Sequence, residues 1–168
     1  MLDAIAIQRV LINGTILSLV LGVMVMGSLR YNARLWLQDY PKPIRDRVPP
    51  LSTTERRQRA ILAVVFIGVL FGGVALTTLQ LRTASAGALS FGAAYVQIFL
   101  LLLLFNLFDA IVLDLFLIAI LKPRFVILPG AEGMEYLFLD PRKHITDFMK
   151  GMVFCVVASL PFAALAVL

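Results

Sequence analysis

Two aspartates inside a long apolar stretch are the residues of this chain best suited to chemistry. Asp109 and Asp114 lie in the run 92–121, which contains no Lys or Arg, and Asn106 precedes them. Each acid costs about 2.5–3.5 kcal/mol to place inside a bilayer, so some interaction must offset that cost. Acids at such positions typically mark the path of a cation or proton. We therefore take Asn106, Asp109 and Asp114 as candidate residues of an ion or proton pathway.

Helical geometry limits how the two acids can act together. In a straight α-helix, Asp109 and Asp114 lie about 140° apart around the axis. No Pro or Gly separates them, so the sequence predicts a regular helix here. The acids would border one polar arc with Asn106 without holding a single ion between them. Asp109 is expected near mid-depth of the bilayer, with Asp114 about 7–8 Å nearer the cytoplasm.

Three roles compete for these acids. They can act as polar glue between helices, hydrogen-bonded to polar residues of the other apolar runs: Asn13, Thr15, Ser18, Thr77, Thr78 or Ser159. They can form a cation or proton pathway, which the lack of basic residues inside the apolar runs favours. They can also serve acid–base or metal-assisted catalysis. With one cysteine, Cys155, and one histidine, His144, we expect no metal site within one chain and no cofactor.

Composition assigns the chain to the membrane proteins. Its 168 residues are 61% apolar and 15% charged, and the mean hydropathy is +0.95. Soluble domains average about 45–50% apolar and about 25% charged residues. These values exclude a soluble enzyme, a disordered segment and a disulfide scaffold. They predict an all-α integral membrane protein with a single transmembrane domain, 1–168.

Four apolar runs are long enough to cross a bilayer as helices, which takes about 20 residues each. They lie at about 10–29, 60–81, 92–121 and 151–168. None alternates with the period of a barrel strand. The first run lacks the basic start and the cleavage site of a signal peptide, so we expect it to be retained. The sequence thus predicts a bundle of four transmembrane helices.

Basic residues set the predicted orientation. Loops 30–59 and 122–150 hold 13 Lys and Arg, whereas the other connections hold two. The positive-inside rule places both loops in the cytoplasm and both termini outside. The same rule accounts for the net charge of +5, so we expect no nucleic-acid partner. The loop cations are instead expected to contact anionic lipid head groups or a protein partner: Arg45, Arg47, Arg56, Arg57, Arg59, Lys122 and Arg124.

Local motifs shape the two loops. Ser52 and Glu55 have capping-box spacing, which predicts a helix from Thr53. Asp140 followed by Pro141 predicts a second helix start. The apolar residues between Phe125 and Leu139 indicate that loop 122–150 forms an ordered layer or a docking surface. In the second span, Gly68 and Gly72 form a G-x-x-x-G pattern that predicts close helix packing, within the bundle or between subunits.

The C-terminal half carries a family resemblance. It rests on Asn106, Asp109, Asp114, Pro123, Pro129-Gly130 and Glu132-Gly133. Through these residues the segment resembles a group of small uncharacterised bacterial membrane proteins with four spans. The resemblance covers about a third of the chain. It implies an inner-membrane location and no established activity.

Three function hypotheses follow. The first is a homo-oligomeric channel or transporter for a cation or proton, in which the third span lines an axis or a cleft between subunits. The second is a non-catalytic subunit or scaffold of a larger membrane complex, docked through loop 122–150. The third is a membrane-embedded enzyme that modifies lipid. An enzyme is the less favoured class, because no nucleophile, phosphate-binding or metalloprotease motif is present.

Overall fold

A computed structural model describes residues 4–84 and 89–168. These residues form helices and connecting turns, and no strand occurs among them. The helices are α1 (Ala4–Asn32), α2 (Lys42–Arg47), α3 (Thr53–Ala84), α4 (Phe91–Phe108) and α5 (Pro141–Val167). Short 3-10 turns occupy Ala33–Asp39, Arg124–Val126 and Glu135–Leu139. The predicted all-α class is therefore confirmed for the described part of the chain.

Four helical segments are long and apolar enough to cross a membrane. They are Ala6–Asp39, Thr53–Ala84, Phe91–Leu121 and Pro141–Val167. Each contains one of the four predicted spans or most of it. The helices extend past the apolar runs because the charged and polar residues at their ends continue the backbone hydrogen bonds of the same helix.

Small residues let the long helices approach one another. Gly14 of α1 lies against Leu104 of α4, and Gly22 lies against Phe108, so these two helices run parallel. Gly73 of α3 lies against Leu17. Helix α4 packs along both α1 and α5, and α3 packs against the same two helices. The first hydrophobic core fills the space between them, with Leu21, Val74, Ile98, Leu101 and Ala163 among its buried side chains.

The third span does not keep one helical form. The segment Asp109–Leu121 is a π-helix, with hydrogen bonds from residue i to i+5. It ends at Lys122, whose φ of 44° is left-handed, and Pro123 follows. The expectation of a regular α-helix between Asp109 and Asp114 is wrong. The absence of Pro and Gly does not prevent this change, because a π-helix needs neither residue.

The two long connections pack on each other and form a second hydrophobic core. Val126, Leu128 and Phe138 from one connection are buried with Tyr40 and Ile44 from the other. The Tyr40 hydroxyl donates to the Val126 carbonyl at 2.7 Å, and Arg47 Nε donates to the Gly130 carbonyl at 2.9 Å. The end of the bundle that carries residues 33–52 and 122–140 is called the loop end below. The apolar residues predicted to pack against something therefore pack largely within the chain.

Both predicted helix starts are confirmed. Helix α3 begins at Thr53, and the Ser52 N–H donates to Glu55 Oε2 at 2.8 Å while the Glu55 N–H donates to Ser52 Oγ at 3.2 Å. At the start of α5, the Arg142 N–H donates to Asp140 Oδ1 at 3.0 Å. Each cap satisfies backbone donors that have no partner inside the helix.

The G-x-x-x-G pattern does not pack inside the bundle. A methyl group added at Gly68 or at Gly72 would meet no atom of the described chain within 4 Å, whereas one at Gly73 would meet Leu17. Of the two predicted alternatives, packing of Gly68 and Gly72 within the bundle is therefore not found among the described residues. Helix packing between subunits stays a prediction for this face of α3.

Candidate functional site

Asn106 is buried at the contact between α4 and α5. Its side chain is 9% exposed, and its Nδ2 donates to the Phe148 carbonyl at 3.3 Å. The amide occupies space that a side chain at Gly151 would fill. This polar contact links the third span to the first turns of α5, just before the π-helix begins.

The π-helix brings the two candidate acids onto one side. Asp109 and Asp114 are five residues apart, which is the spacing that one π-helical hydrogen bond joins. They are therefore stacked about one turn apart rather than turned about 140° from each other. Both residues are half-buried, and Asp109 interacts electrostatically with Asp114.

In the part of the chain that the structure describes, neither acid is held through a hydrogen bond. Among residues 4–84 and 89–168, the side chains of Asp109 and Asp114 accept no hydrogen bond and form no ion pair within 4 Å. The partners expected for polar glue bond elsewhere. Asn13 Nδ2 donates to Gln80 Oε1 at 2.8 Å, and the hydroxyl of Ser159 donates to the Cys155 carbonyl at 2.6 Å. Asn13 and Ser159, two of the six possible partners named for that role, therefore do not hold the acids in the described chain.

Charged groups of the loop end surround the acids. Lys143 and Asp147 of α5 and Asp39 interact electrostatically with both Asp109 and Asp114, and His144 interacts with Asp114. The apolar runs hold no Lys or Arg, but Lys143 lies near the acids, because α5 begins with a polar turn that packs beside the π-helix. Asp109 follows the contact between Asn106 and the Phe148 carbonyl, which lies in the first turns of α5, so it lies toward the loop end of that helix.

The basic neighbours of the acids are themselves paired. Lys143 Nζ lies 2.6 Å from Asp147 Oδ2, and Lys150 Nζ lies 2.9 Å from Asp147 Oδ1. The Nε2 of His144 lies 2.7 Å from the Phe138 carbonyl, which only accepts, so this nitrogen carries a proton. The positive charge of Lys143 is thus paired with the Asp147 carboxylate. It is not available to Asp109 and Asp114 only.

The predicted head-group residues separate into two sets. Arg45, Arg56 and Arg59 line one cavity of about 670 Å³ at the loop end. The others do not line it: Arg47, Arg57, Lys122 and Arg124. Arg47 instead joins the two long connections through Gly130. This division could not be predicted from sequence, because it depends on where α2 lies relative to α3.

Of two buried polar groups that lack a partner in the described chain, Gln97 escaped the sequence reasoning, whereas Ser18 was considered only as a partner of the acids. Ser18 is 2% exposed and Gln97 is 4% exposed, and neither Ser18 Oγ nor Gln97 Oε1 has a hydrogen-bond partner in the described chain. A buried polar atom without a partner costs about 1–3 kcal/mol. Gln97 is a polar residue inside the run 92–121, and this is the signal that pointed to it.

Metal ligands do not converge at this site. Within the described ranges, no three His, Cys, Asp or Glu side chains are placed to hold a metal ion. The chemistry that the geometry offers is therefore that of two neighbouring carboxyl groups, which can take up and release protons or face a hydrated cation. Comparison with family models, with curated proteins and with solved structures gives no match.

Proposed function

We propose that this chain is a multi-pass protein of the inner (plasma) membrane that moves protons or a small cation past Asp109 and Asp114. In this proposal, the loop end faces the cytoplasm and both termini lie outside, in keeping with the 13 basic residues of loops 30–59 and 122–150. The observation that carries the proposal is the pair of half-buried, stacked carboxyl groups that accept no hydrogen bond from the described residues.

A structural role alone accounts poorly for that pair. Polar side chains that hold helices together normally end in a hydrogen bond, as Asn106 does with the Phe148 carbonyl. Asp109 and Asp114 instead keep their oxygens available while bearing the cost of partial burial. Groups that must exchange a proton or contact a passing cation need that availability.

The proposal implies an assembly of several copies. The interior of the four-helix bundle is filled by apolar side chains, and Ile98, Leu101 and Leu102 are at most 1% exposed. A polar path would therefore run between chains, along a face of the third span. Ile111, Leu115 and Phe116 of the π-helix are exposed and available for such a contact.

Flux into liposomes tests the proposal. The purified protein is reconstituted, and proton, Na⁺ and K⁺ flux is measured for the wild type, Asp109→Asn and Asp114→Asn. The amide keeps the size of the side chain but cannot exchange a proton or supply charge, so flux should fall at least about tenfold in Asp109→Asn while the fold is retained. Asp114→Asn is expected to act more mildly, since Asp114 lies nearer the end of the span.

Asp46→Asn is the matched control for these variants. Asp46 is exposed on α2 and pairs with Lys42, so its replacement removes one negative charge from the loop end but not from the site. It should leave flux unchanged. Absence of flux in the wild type for all three ions, or equal flux in wild type and Asp109→Asn, would exclude the proposal.

A second candidate function is that of a non-catalytic subunit in a larger membrane complex. The observation that favours it is the open face of α3, where Gly68 and Gly72 meet no other part of the described chain. Small residues on such a face admit a second helix at close range. Gly68→Leu should then disrupt assembly with the partner while leaving the isolated chain folded, which co-purification and thermal unfolding can separate.

A further inference from the structure

A cavity lined by arginines lies between the first long connection and the start of α3. It has a volume of about 670 Å³, and Arg45, Arg56 and Arg59 contribute its charges. No acidic residue lines it. Three guanidinium groups around one space of this size form a site for an anion, since each presents several N–H donors in a planar fork.

Hydrogen bonds to the main chain position two of the three guanidinium groups. Arg45 Nη1 donates to the Gln38 carbonyl at 3.2 Å, and Arg56 Nε donates to the Leu51 carbonyl at 3.1 Å. Within the described ranges, none of the three arginines forms an ion pair within 4 Å of a carboxylate. The remaining N–H groups of Arg45 and Arg56 are therefore oriented, and among the described residues no hydrogen-bond partner takes them or the guanidinium of Arg59.

The rest of the cavity wall is apolar. Leu51, Ala60 and Ala63 line it, and the two alanines are exposed on the first apolar turns of α3. Beyond them the same helix exposes Val64 and Ile67. A ligand that sets a phosphate among the arginines can therefore lay an apolar chain along α3. A free inorganic anion would leave this wall unused.

We propose that the cavity binds the phosphate group of an anionic phospholipid, with the acyl chains lying on the exposed face of α3. This site is separate from Asp109 and Asp114 and does not depend on ion movement. The basic residues have a specific task here, beyond the general attraction of cytoplasmic loops to anionic lipid.

Binding of short-chain lipids to the purified full-length protein tests the proposal. The probes are dihexanoyl phosphatidic acid, dihexanoyl phosphatidylcholine and inorganic phosphate, each titrated while binding is followed by calorimetry. Arg56→Gln/Arg59→Gln removes two of the three charges, and the affinity for phosphatidic acid should fall at least about tenfold. Phosphatidylcholine should bind the wild type more weakly, because its choline cation opposes the arginines.

Arg57→Gln is the matched control. Arg57 lies between the two cavity residues on the same helix, is exposed and does not line the cavity, so its replacement should leave affinity unchanged. An equal loss in Arg57→Gln and in the double variant would overturn the proposal, because it would indicate unspecific charge attraction. If inorganic phosphate binds as tightly as phosphatidic acid, the proposal that the phosphate belongs to a lipid is wrong.

A third variant tests the site by a gain. Asp39 follows Gln38 and interacts electrostatically with both Arg45 and Arg59. Asp39→Asn removes a negative charge that competes with the ligand, so affinity for phosphatidic acid should rise. A fall in affinity, or no change, would contradict a phosphate among these arginines. A damaged fold cannot mimic an increase, which separates this readout from loss of structure.

Discussion

The side-chain amide of Asn106 occupies the space that a side chain at Gly151 would need. Its Nδ2 donates to the Phe148 carbonyl at 3.3 Å, one turn before Gly151 on α5. The Asn106 amide can therefore occupy this position only because residue 151 has no side chain. Because the π-helix begins directly after this contact, it fixes the height at which Asp109 and Asp114 meet α5.

Gly151→Ala should destabilise the bundle. The added methyl group overlaps Asn106 Oδ1, so the amide must move and give up its hydrogen bond. Overpacking of this kind costs about 1–3 kcal/mol, which thermal unfolding in detergent will measure. Gly68→Ala is the control, since a methyl group there meets nothing within 4 Å.

A double variant checks the cause of that loss. In an Asn106→Ala background the space is open, so Gly151→Ala should cost much less than it does alone. Additive losses in the double variant would mean that the two residues are not coupled.

Glu55→Ala should weaken the start of α3 and its tie to the first connection. Glu55 completes the capping box with Ser52 and forms an ion pair with Arg34 at 2.6 Å. The Arg34 and Glu55 side chains are only 20% and 16% exposed, so the pair is screened less than a surface pair. Loss of the cap and of the pair should lower the free energy of unfolding by about 1–3 kcal/mol.

The pair between Lys42 and Asp46 is the comparison for this loss. Its side chains are 74% and 59% exposed, so Asp46→Ala should cost less than about 1 kcal/mol. Equal losses in Asp46→Ala and Glu55→Ala, measured by the same unfolding assay, would show that burial of the Arg34 pair has no effect.

Tyr40→Phe should loosen the contact between the two long connections. The hydroxyl makes a buried hydrogen bond to the Val126 carbonyl, and its removal leaves that carbonyl without this donor. The expected loss is about 1–3 kcal/mol, accompanied by faster proteolysis at residues 122–140. Tyr136→Phe changes a ring that is 67% exposed and should have no effect on either measurement.

The same hydroxyl predicts a dependence on alkaline pH. Burial of Tyr40 raises its pKa, and the neighbouring Asp39 carboxylate raises it further. Just above pH of about 10, the Tyr40 hydroxyl therefore stays protonated in the folded chain, whereas it has lost its proton in the unfolded chain. The resulting stability is fully present below about pH 10 and is lost as pH rises further. Above about pH 10, the unfolding temperature of the wild type should fall more steeply with pH than the unfolding temperature of Tyr40→Phe. Parallel curves for the two proteins would contradict the prediction.

Cysteine labelling tests the proposed orientation. Thr83 and Lys42 lie at opposite ends of the bundle, and each is replaced by Cys in a Cys155→Ala background. A reagent that does not cross membranes should label position 83 in intact cells and reach position 42 only after the membrane is opened, as the basic residues of the loops predict. Labelling in the opposite order would reverse the orientation.

Sequence patterns predicted the features that depend on neighbours along the chain. The apolar runs located the four long helices, and the capping residues Ser52 and Asp140 located two helix starts. Each of these signals acts within a few residues of itself. They need no knowledge of what lies across the bundle.

The features that escaped prediction depend on contacts between distant segments. The burial of Val126 with Tyr40 and the place of Lys143 beside the acids both arise from packing between segments far apart in the sequence. The π-helix has no marker residue, and its stacking of Asp109 and Asp114 replaces the polar arc that α-helical geometry predicted. Candidate acids could therefore be named from sequence, but their arrangement could not.

The hydrogen bond between Tyr40 and Val126 has a consequence for how the protein is made. Its two ends are 86 residues apart. A chain that has been synthesised only as far as the end of α3 therefore contains a first hairpin whose connection lacks the residues that bury Tyr40 and Ile44. The connection of the first hairpin is fully packed only after the second hairpin has been synthesised. The two halves of the chain therefore have to meet before either long connection is fully packed.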